Sequence, residues 1–232
     1  MKKYKIIGLI LFFFCVQFSF AQSETDTLEV EEYDYSDTIE KKNFFNFGVG
    51  LPVLFSRIES GEMSLIDSIS QWNSNPKTGF IIGLSYKRNL AKQIYFESGI
   101  KVIVSSVSFD YMQISSTKNV SFPYSLLEIP LLVSYKNHED FSGFNMGVGF
   151  SYWYDISKQL DIDKRLVSLK KNDLAGSAFL AYTFLNKEKT HFEIRLNAEA
   201  GFFNLNSKVN NKLNNSILSI HQQMIGIQLS IF

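Results

Sequence analysis

His191-Phe192-Glu193-Ile194-Arg195-Leu196-Asn197-Ala198-Glu199-Ala200-Gly201-Phe202 is the stretch that decides the fold. Phe192, Ile194, Leu196, Ala198, Ala200 and Phe202 alternate without a break with His191, Glu193, Arg195, Asn197, Glu199 and Gly201. Successive side chains of a β-strand point to opposite faces, so the pattern predicts a strand with one apolar and one polar side. A helix would scatter both sets around its axis.

Working outward, the same period recurs. Ile94, Phe96, Ile100, Val102 and Val104 oppose Glu97, Gly99 and Lys101. Phe144, Met146, Val148, Phe150, Tyr152 and Tyr154 oppose Asn145, Gly147, Gly149 and Ser151. Phe47, Val49, Leu51, Val53 and Phe55 oppose Asn46, Gly48, Gly50 and Pro52. Eight strands are predicted, over 43–57, 77–89, 92–111, 121–136, 141–155, 173–186, 189–204 and 218–232. The connections alternate. Those at 89–91, 137–140 and 186–188 are short, and those at 58–76, 112–120, 156–172 and 206–217 are long. Short turns at one end and long loops at the other fit an all-β, eight-stranded, antiparallel up-and-down transmembrane barrel, with periplasmic turns and extracellular loops.

Polarity chooses between a membrane barrel and a soluble one. A soluble ligand-binding barrel turns its apolar face inward and covers the outside with Lys and Glu. Here the polar face is rich in Gly, Ser and Asn, which suit a narrow lumen. The apolar face carries aromatics near strand ends: Phe45, Phe47, Tyr86, Phe96, Phe122, Tyr135, Phe144, Tyr152, Tyr154, Tyr182, Phe184 and Phe202. That placement resembles the girdles at membrane interfaces. Composition agrees: aromatics are 15% of 232 residues, with 22 Phe, and charged residues are 20%. Lys+Arg and Asp+Glu are equal at 23 each, so no charge excess points to nucleic acid.

Residues 1–21 read as a cleaved export signal. Lys2, Lys3 and Lys5 precede the apolar run Ile6–Phe14, and Ser19-Phe20-Ala21 offers a cleavage site. Cys15, the only cysteine, lies inside it, so the mature chain is expected to have no disulfide or thiolate chemistry. Residues 22–42 read as a flexible periplasmic tail, because Glu24, Asp26, Glu29, Glu31, Glu32, Asp34, Asp37 and Glu40 sit among few apolar residues. Residues 43–232 are the expected barrel, with both mature ends periplasmic and an outer-membrane location.

The few charges on the polar face then acquire places. Lys101, far along an upward strand, and Glu128, on the next downward strand, are expected side by side. The third and seventh predicted strands oppose each other across an eight-stranded barrel, which brings Glu97 and Lys101 towards Glu193, Arg195 and Glu199. Unpaired charge in so narrow a lumen is costly, so these six side chains are expected to form a structural salt-bridge network that plugs the barrel.

Tyr124-Ser125-Leu126-Leu127-Glu128-Ile129-Pro130-Leu131-Leu132-Val133-Ser134-Tyr135 resembles the signature strand of the PorT-like outer-membrane β-barrel family of Bacteroidota-type bacteria. The Leu127-Glu128-Ile129-Pro130 core carries the resemblance, with the Gly-rich first and fifth strands and the Ala21-Gln22 signal end. It spans roughly residues 43–232 and implies the barrel architecture; one branch of the family belongs to a protein-secretion machinery. Pro130 within a sheet predicts a local bulge near Glu128–Pro130. At the other end, Gly226, Leu229, Ile231 and the terminal Phe232 resemble an outer-membrane assembly signal, although Phe232 falls off the parity of Ile225, Ile227, Leu229 and Ile231.

Catalytic and cofactor patterns are sparse. Ser219 and His221, with an Asp such as Asp155, form a conceivable rim triad; His138 and His191 fall near predicted turns. No histidine pair has metal-ligand spacing, and Gly143, Gly147 and Gly149 lie within a strand, so no metal or other cofactor is expected. Lys158, Lys164, Arg165, Lys170 and Lys171 could attract anionic polysaccharide, and Asn204–Asn215 reads as a polar surface loop. The leading reading is a non-enzymatic barrel, structural or surface-interacting. The alternatives are a component of a secretion or assembly machine and a lipid-modifying barrel enzyme. Expected partners are outer-membrane lipid, the barrel-assembly machinery during insertion, and a periplasmic or secretion-system partner.

Overall fold

A computed structural model describes residues 43–60, 69–91, 93–113, 116–137, 143–157, 167, 169–185, 190–207 and 217–231. The expected signal and tail, His138, Phe232 and the loop cations Lys158, Lys164 and Arg165 lie outside the described residues. The chain divides at Glu40/Lys41, and all the described structure belongs to the second unit.

That unit is an all-β antiparallel sheet of ten strands: β1 (Asn43–Ser60), β2 (Ile69–Asn75), β3 (Lys77–Thr78), β4 (Phe80–Ala91), β5 (Ile94–Gln113), β6 (Ser116–Lys136), β7 (Gly143–Asp155), β8 (Asn172–Leu185), β9 (His191–Gly201) and β10 (Ile217–Ile231). Consecutive strands from β4 to β10 pair with their neighbours, β4 pairs with β1, and β1 pairs with β10 from Phe47↔Ile231 to Ser60↔Ile217. The sheet is therefore a ring. Closure leaves no lipid-exposed edge, which is what an antiparallel sheet needs in a membrane.

The second predicted strand is broken. β3 and β4 lie on β1 in a single register (Leu54↔Lys77, Gly50↔Ile81), while β2 continues along β5 beyond β4. The breaks fall at Pro76, which has no N–H for a ladder, and at Gly79, whose N–H donates to Pro52 O at 2.8 Å. Two predicted long loops change. Residues 69–75 of the first are strand, and the second, 112–120, shrinks to the tip of a hairpin, because β5 and β6 stay paired out to Gln113↔Ser116.

Period two sets the faces. Leu51, Leu84, Val148, Leu180, Leu196 and Ile227 are exposed apolar residues on the outer surface. This outer band runs from Ile94 to Val104 on β5 and from Phe192 to Phe202 along and just beyond β9. A tilted transmembrane strand needs ~9–11 residues, which matches. Outer aromatics pair near the end of the barrel that holds the short connections, with ring centroids 5.1 Å apart for Phe45–Tyr86 and Phe144–Tyr182 and 5.5 Å for Phe184–Phe192. Phe150–Phe202, at 6.3 Å, lies towards the other end.

One expectation about faces is overturned. Phe122 does not join the outer aromatics; it points inward and is 7% exposed. On β5 the inward parity carries Glu97 and Lys101, then Ile103, Val107, Phe109 and Tyr111. On β6 it carries Val120, Phe122, Tyr124 and Leu126 before Glu128. Past the outer apolar band, the β5–β6 hairpin thus reverses its chemistry without changing parity. Thr117, Asn119, Ser121 and Pro123 face out, while Trp72, Phe109, Tyr111 and Phe122 pack inside. The physical reason is the solvent: this arm stands where water replaces lipid, so the apolar side must turn in.

The bulge expected at Glu128–Pro130 does not form. Ser98↔Leu131 and Lys101↔Glu128 keep one register with β5, and pairing with β7 is continuous through Pro130↔Ser151. Pro130 interrupts the ladder to β5 opposite Gly99 and Ile100 without adding a residue, and its ring is buried on the inner face.

Candidate functional site

The lumen is the only part of the described structure where charge is buried in quantity. Each contributor is aimed inward by the outward neighbours on its strand. Leu84 and Tyr86 face out, so Lys87 faces in; Ile194 and Leu196 face out, so Glu193, Arg195 and Asn197 face in.

Two sets of contacts result. In the first, Arg195 clamps Glu97 from across the barrel, with Nη1–Oε1 at 2.7 Å and Nη2–Oε2 at 2.8 Å. Its Nε also donates to Glu193 Oε1 at 2.9 Å. Lys87 Nζ donates to Glu193 Oε2 at 2.6 Å and lies 3.6 Å from Glu97 Oε2. Asn145 Nδ2 adds a donor to Glu193 Oε2 at 3.3 Å. The guanidinium lies over the Phe179 ring, 3.9 Å from its centroid. Two carboxylates and two cations thus share one desolvated knot, in which the planar fork of Arg satisfies both acids.

In the second set, Lys101 Nζ donates to Glu128 Oε1 at 2.9 Å, across a β5–β6 register pair. Gly83 sits opposite Lys101 on β4, and a Cβ there would meet Lys101 Cγ at 2.7 Å; the glycine clears the path of the lysine stem. Ser151 Oγ lies 3.2 Å from Glu128 Oε1 and 2.8 Å from Ser177 Oγ, which in turn lies 3.2 Å from Glu199 Oε2. Trp153 Nε1 donates to Glu199 Oε2 at 3.2 Å.

The structure therefore brings Glu97, Glu193 and Arg195 together, pairs Lys101 with Glu128, and joins Glu199 to that pair through two hydroxyls. Lys87 was not among the expected residues. It sits between Tyr86 and Arg88 near a strand end, where a lysine ordinarily meets headgroups, but the parity of Leu84 and Tyr86 puts it inside. Asn145, Ser151, Trp153, Phe179 and Ser177 were also missed as contributors. They are uncharged, and only the paired register brings them to the acids.

Above this layer, towards the long loops, Ile81, Ile103, Leu126, Ile220 and Met224 fill the lumen. Val167, Leu169 and Leu205, from the β7–β8 and β9–β10 connections, complete the apolar cap. Asn204, expected in a polar loop, instead secures this cap: its side chain donates to Leu218 O and accepts from the Asn206 and Ile220 N–H groups. Lys170 and Lys171, two of the loop cations, are both exposed, and Lys170 donates to Asn204 O at 2.8 Å. Below the charge layer, a cavity of ≈ 10 Å³ is lined by Phe44, Lys87, Ser134, Lys136, Asn145 and Glu193 among others, room for about one water. A larger concavity of ≈ 570 Å³ lies on the outer apolar face, beside Leu51, Phe80, Leu196 and Ile227.

The conceivable triad is not joined. Ser219 Oγ donates to Glu59 Oε2 at 2.8 Å, His221 is paired in register with Arg57, and Asp155 on β7 accepts the Ser157 N–H. His191 opens β9. Among the described residues no group of three His, Cys, Asp or Glu could hold a metal ion. Of the assembly-signal residues, Gly226 faces in, while Leu229 and Ile231 face out.

A family model described as outer membrane protein beta-barrel domain matches residues 20–218. No curated protein matches. Similar solved structures include the outer membrane protein OprG from Pseudomonas aeruginosa, 11% identical with a TM-score of 0.43, covering 82% of this chain and 92% of that one. A Pseudomonas aeruginosa FadL homologue is 10% identical with a TM-score of 0.29, covering 67% of this chain and 36% of that one. The family match, spanning most of a chain whose strands close into a ring with an apolar outer band, makes this protein an outer-membrane β-barrel that belongs to the outer membrane protein β-barrel domain family.

Proposed function

We propose that the protein is a non-enzymatic outer-membrane barrel of eight staves with a closed lumen, serving as a structural or surface-interacting element. In this reading β2, β3 and β4 are one stave, interrupted at Pro76 and Gly79. The observation that carries it is the filled interior: Arg195, Glu97, Glu193 and Lys87 form one charged set, Lys101 and Glu128 a second one further along β5, and the apolar cap lies beyond them. A barrel of eight strands is just wide enough for side chains, so no solute path is left over for transport. The β5–β6 arm, polar outside and packed inside, is the element best suited to meet a partner beyond the membrane. Periplasmic ends, lipid around the apolar band and kinship with the PorT-like family on Leu127-Glu128-Ile129-Pro130 complete the proposal.

Purified protein in planar bilayers should show no stable conductance, and unheated samples should migrate faster than heated ones on gels. A steady, large single-channel current from the folded species would defeat the closed-lumen reading.

A further inference from the structure

The chain of contacts from Glu199 to Glu128 has more links than hydroxyl protons. Three oxygen–oxygen contacts lie in series: Glu199 Oε2 to Ser177 Oγ at 3.2 Å, Ser177 Oγ to Ser151 Oγ at 2.8 Å, and Ser151 Oγ to Glu128 Oε1 at 3.2 Å. Each serine hydroxyl owns one proton, and an ionised carboxylate owns none. Three hydrogen bonds need three protons, and the two serines supply two. The third belongs to a carboxyl at one end of the chain.

Glu128 is the wrong end, because its Oε1 already accepts the Lys101 ammonium at 2.9 Å. Glu97 and Glu193 are likewise paired, with Arg195 and Lys87. Glu199 is 6% exposed and, among the described residues, has no cation within 4 Å; its partners are the Ser177 hydroxyl and the Trp153 indole N–H, with the Ser151 hydroxyl also close by. A bare carboxylate there would carry an uncompensated charge in the same lumen as Glu128.

We infer that Glu199 is a proton-binding site of the lumen: its carboxylic acid donates to Ser177, which donates to Ser151, which donates to the Glu128 carboxylate held by Lys101. The Trp153 N–H fits this arrangement, since an acid hydroxyl still accepts. Removing the proton would force Ser177 to turn and donate to Glu199. Ser177 and Ser151 would then face each other at 2.8 Å with no proton between them, and the chain would part at its centre. Lys101 of β5, Glu128 of β6, Ser151 and Trp153 of β7, Ser177 of β8 and Met224 of β10 surround the site, so the proton's stability is tied to the Lys101–Glu128 pair.

Infrared spectroscopy of the full-length protein in lipid vesicles near neutral pH tests this. The carbonyl band of a protonated carboxylic acid should be present and should shift when glutamate is supplied with a ¹³C carboxyl. Glu199→Gln should lose it, and Ser177→Ala should move it as the acid loses its acceptor. Absence of the band from the wild type, or its survival in Glu199→Gln, would overturn the assignment. The labelled wild type decides the first point even if a variant fails to fold.

Discussion

Arg195 and Glu97 lie 98 residues apart in sequence and meet across the lumen in a two-pronged ion pair, 2.7 and 2.8 Å long, with both side chains about 1% exposed. Each is on a strand whose other face is lipid-facing, so neither can leave the lumen without turning its strand over. Their pairing thus checks that β5 and β9 sit in the correct registers. A slip of one residue on either strand would put a charge in lipid and a Leu or Ile in the lumen.

Removing one partner should be expensive. Arg195→Met leaves Glu97 with only the Lys87 ammonium at 3.6 Å, and a stability loss of about 3–5 kcal/mol is expected. Urea unfolding in lipid vesicles, followed by gel mobility, gives the number. A loss under about 1 kcal/mol would show that the knot is not desolvated as described.

Lys101 and Glu128 should be strongly coupled. Lys101→Met and Glu128→Leu each strand one buried charge, whereas the double substitution leaves an apolar pair of similar bulk. The double variant should therefore be more stable than the sum of the two losses allows, by about 1–3 kcal/mol. Strict additivity in the same unfolding assay would contradict the direct pair.

Much of this layer was legible because period two is strict wherever lipid and lumen are the two solvents. Glu97, Lys101, Glu128, Glu193, Arg195 and Glu199 all sit at inward parity, and alternation alone reveals parity. Lys87 obeys the same rule but was left out, although the outward parity of Leu84 and Tyr86 marks it as inward. Phe122 shows where the rule needs a second input. Apart from Tyr95 and Ile103, apolar residues occupy the even positions on β5 up to Val104, and then Val107, Phe109 and Tyr111 occupy odd ones. That switch is visible in the sequence, yet its meaning depends on where lipid gives way to water. Pro130 was misread because a missing N–H can be absorbed as a gap in a ladder as well as by a bulge. Ser151 and Ser177 carry no charge to mark them, and only register shows that they bridge two acids.

The outer band predicts a contrast between two arginine substitutions. Leu196→Arg places a charge on the lipid face near mid-strand and should cost about 2–4 kcal/mol. Thr117→Arg, on the outer face of the β5–β6 arm, should change stability by no more than about 0.5 kcal/mol. Equal effects in the vesicle unfolding assay would mean that the arm is not in water.

Gly147 faces the lumen, where an added Cβ would collide with the Phe179 ring. That ring lies beneath the Arg195 guanidinium. Gly147→Ala should push the ring and disturb the clamp, with a loss of about 1–3 kcal/mol. The companion Phe179→Leu in the alanine background should restore part of it; no restoration would show that the damage runs through the backbone.

Asp110, on the arm, accepts Asn119 Nδ2 at 2.5 Å, and this bond together with one from Asn75 holds its carboxyl below the ordinary aspartate range. A depressed folded value means that the contribution is present above the unfolded value of about 3.9 and is lost as pH falls through the folded one. The carboxyl resonance of Asp110 should titrate below about 3.9 and move up in Asn119→Ala. An unshifted midpoint in the wild type would remove Asn119 as a partner.

The pairing of Phe47 with Ile231 and of Ser60 with Ile217 has a consequence for biogenesis. The first strand of the ring waits for the last, so during synthesis the nascent sheet carries two open edges until β10 has been made. Any chain halted before Ile217 would keep the bare hydrogen-bonding edges of β1 and β9, which invite pairing with other chains. The ring can therefore close only once β10 has docked, which makes that strand the one on which a sealed barrel depends.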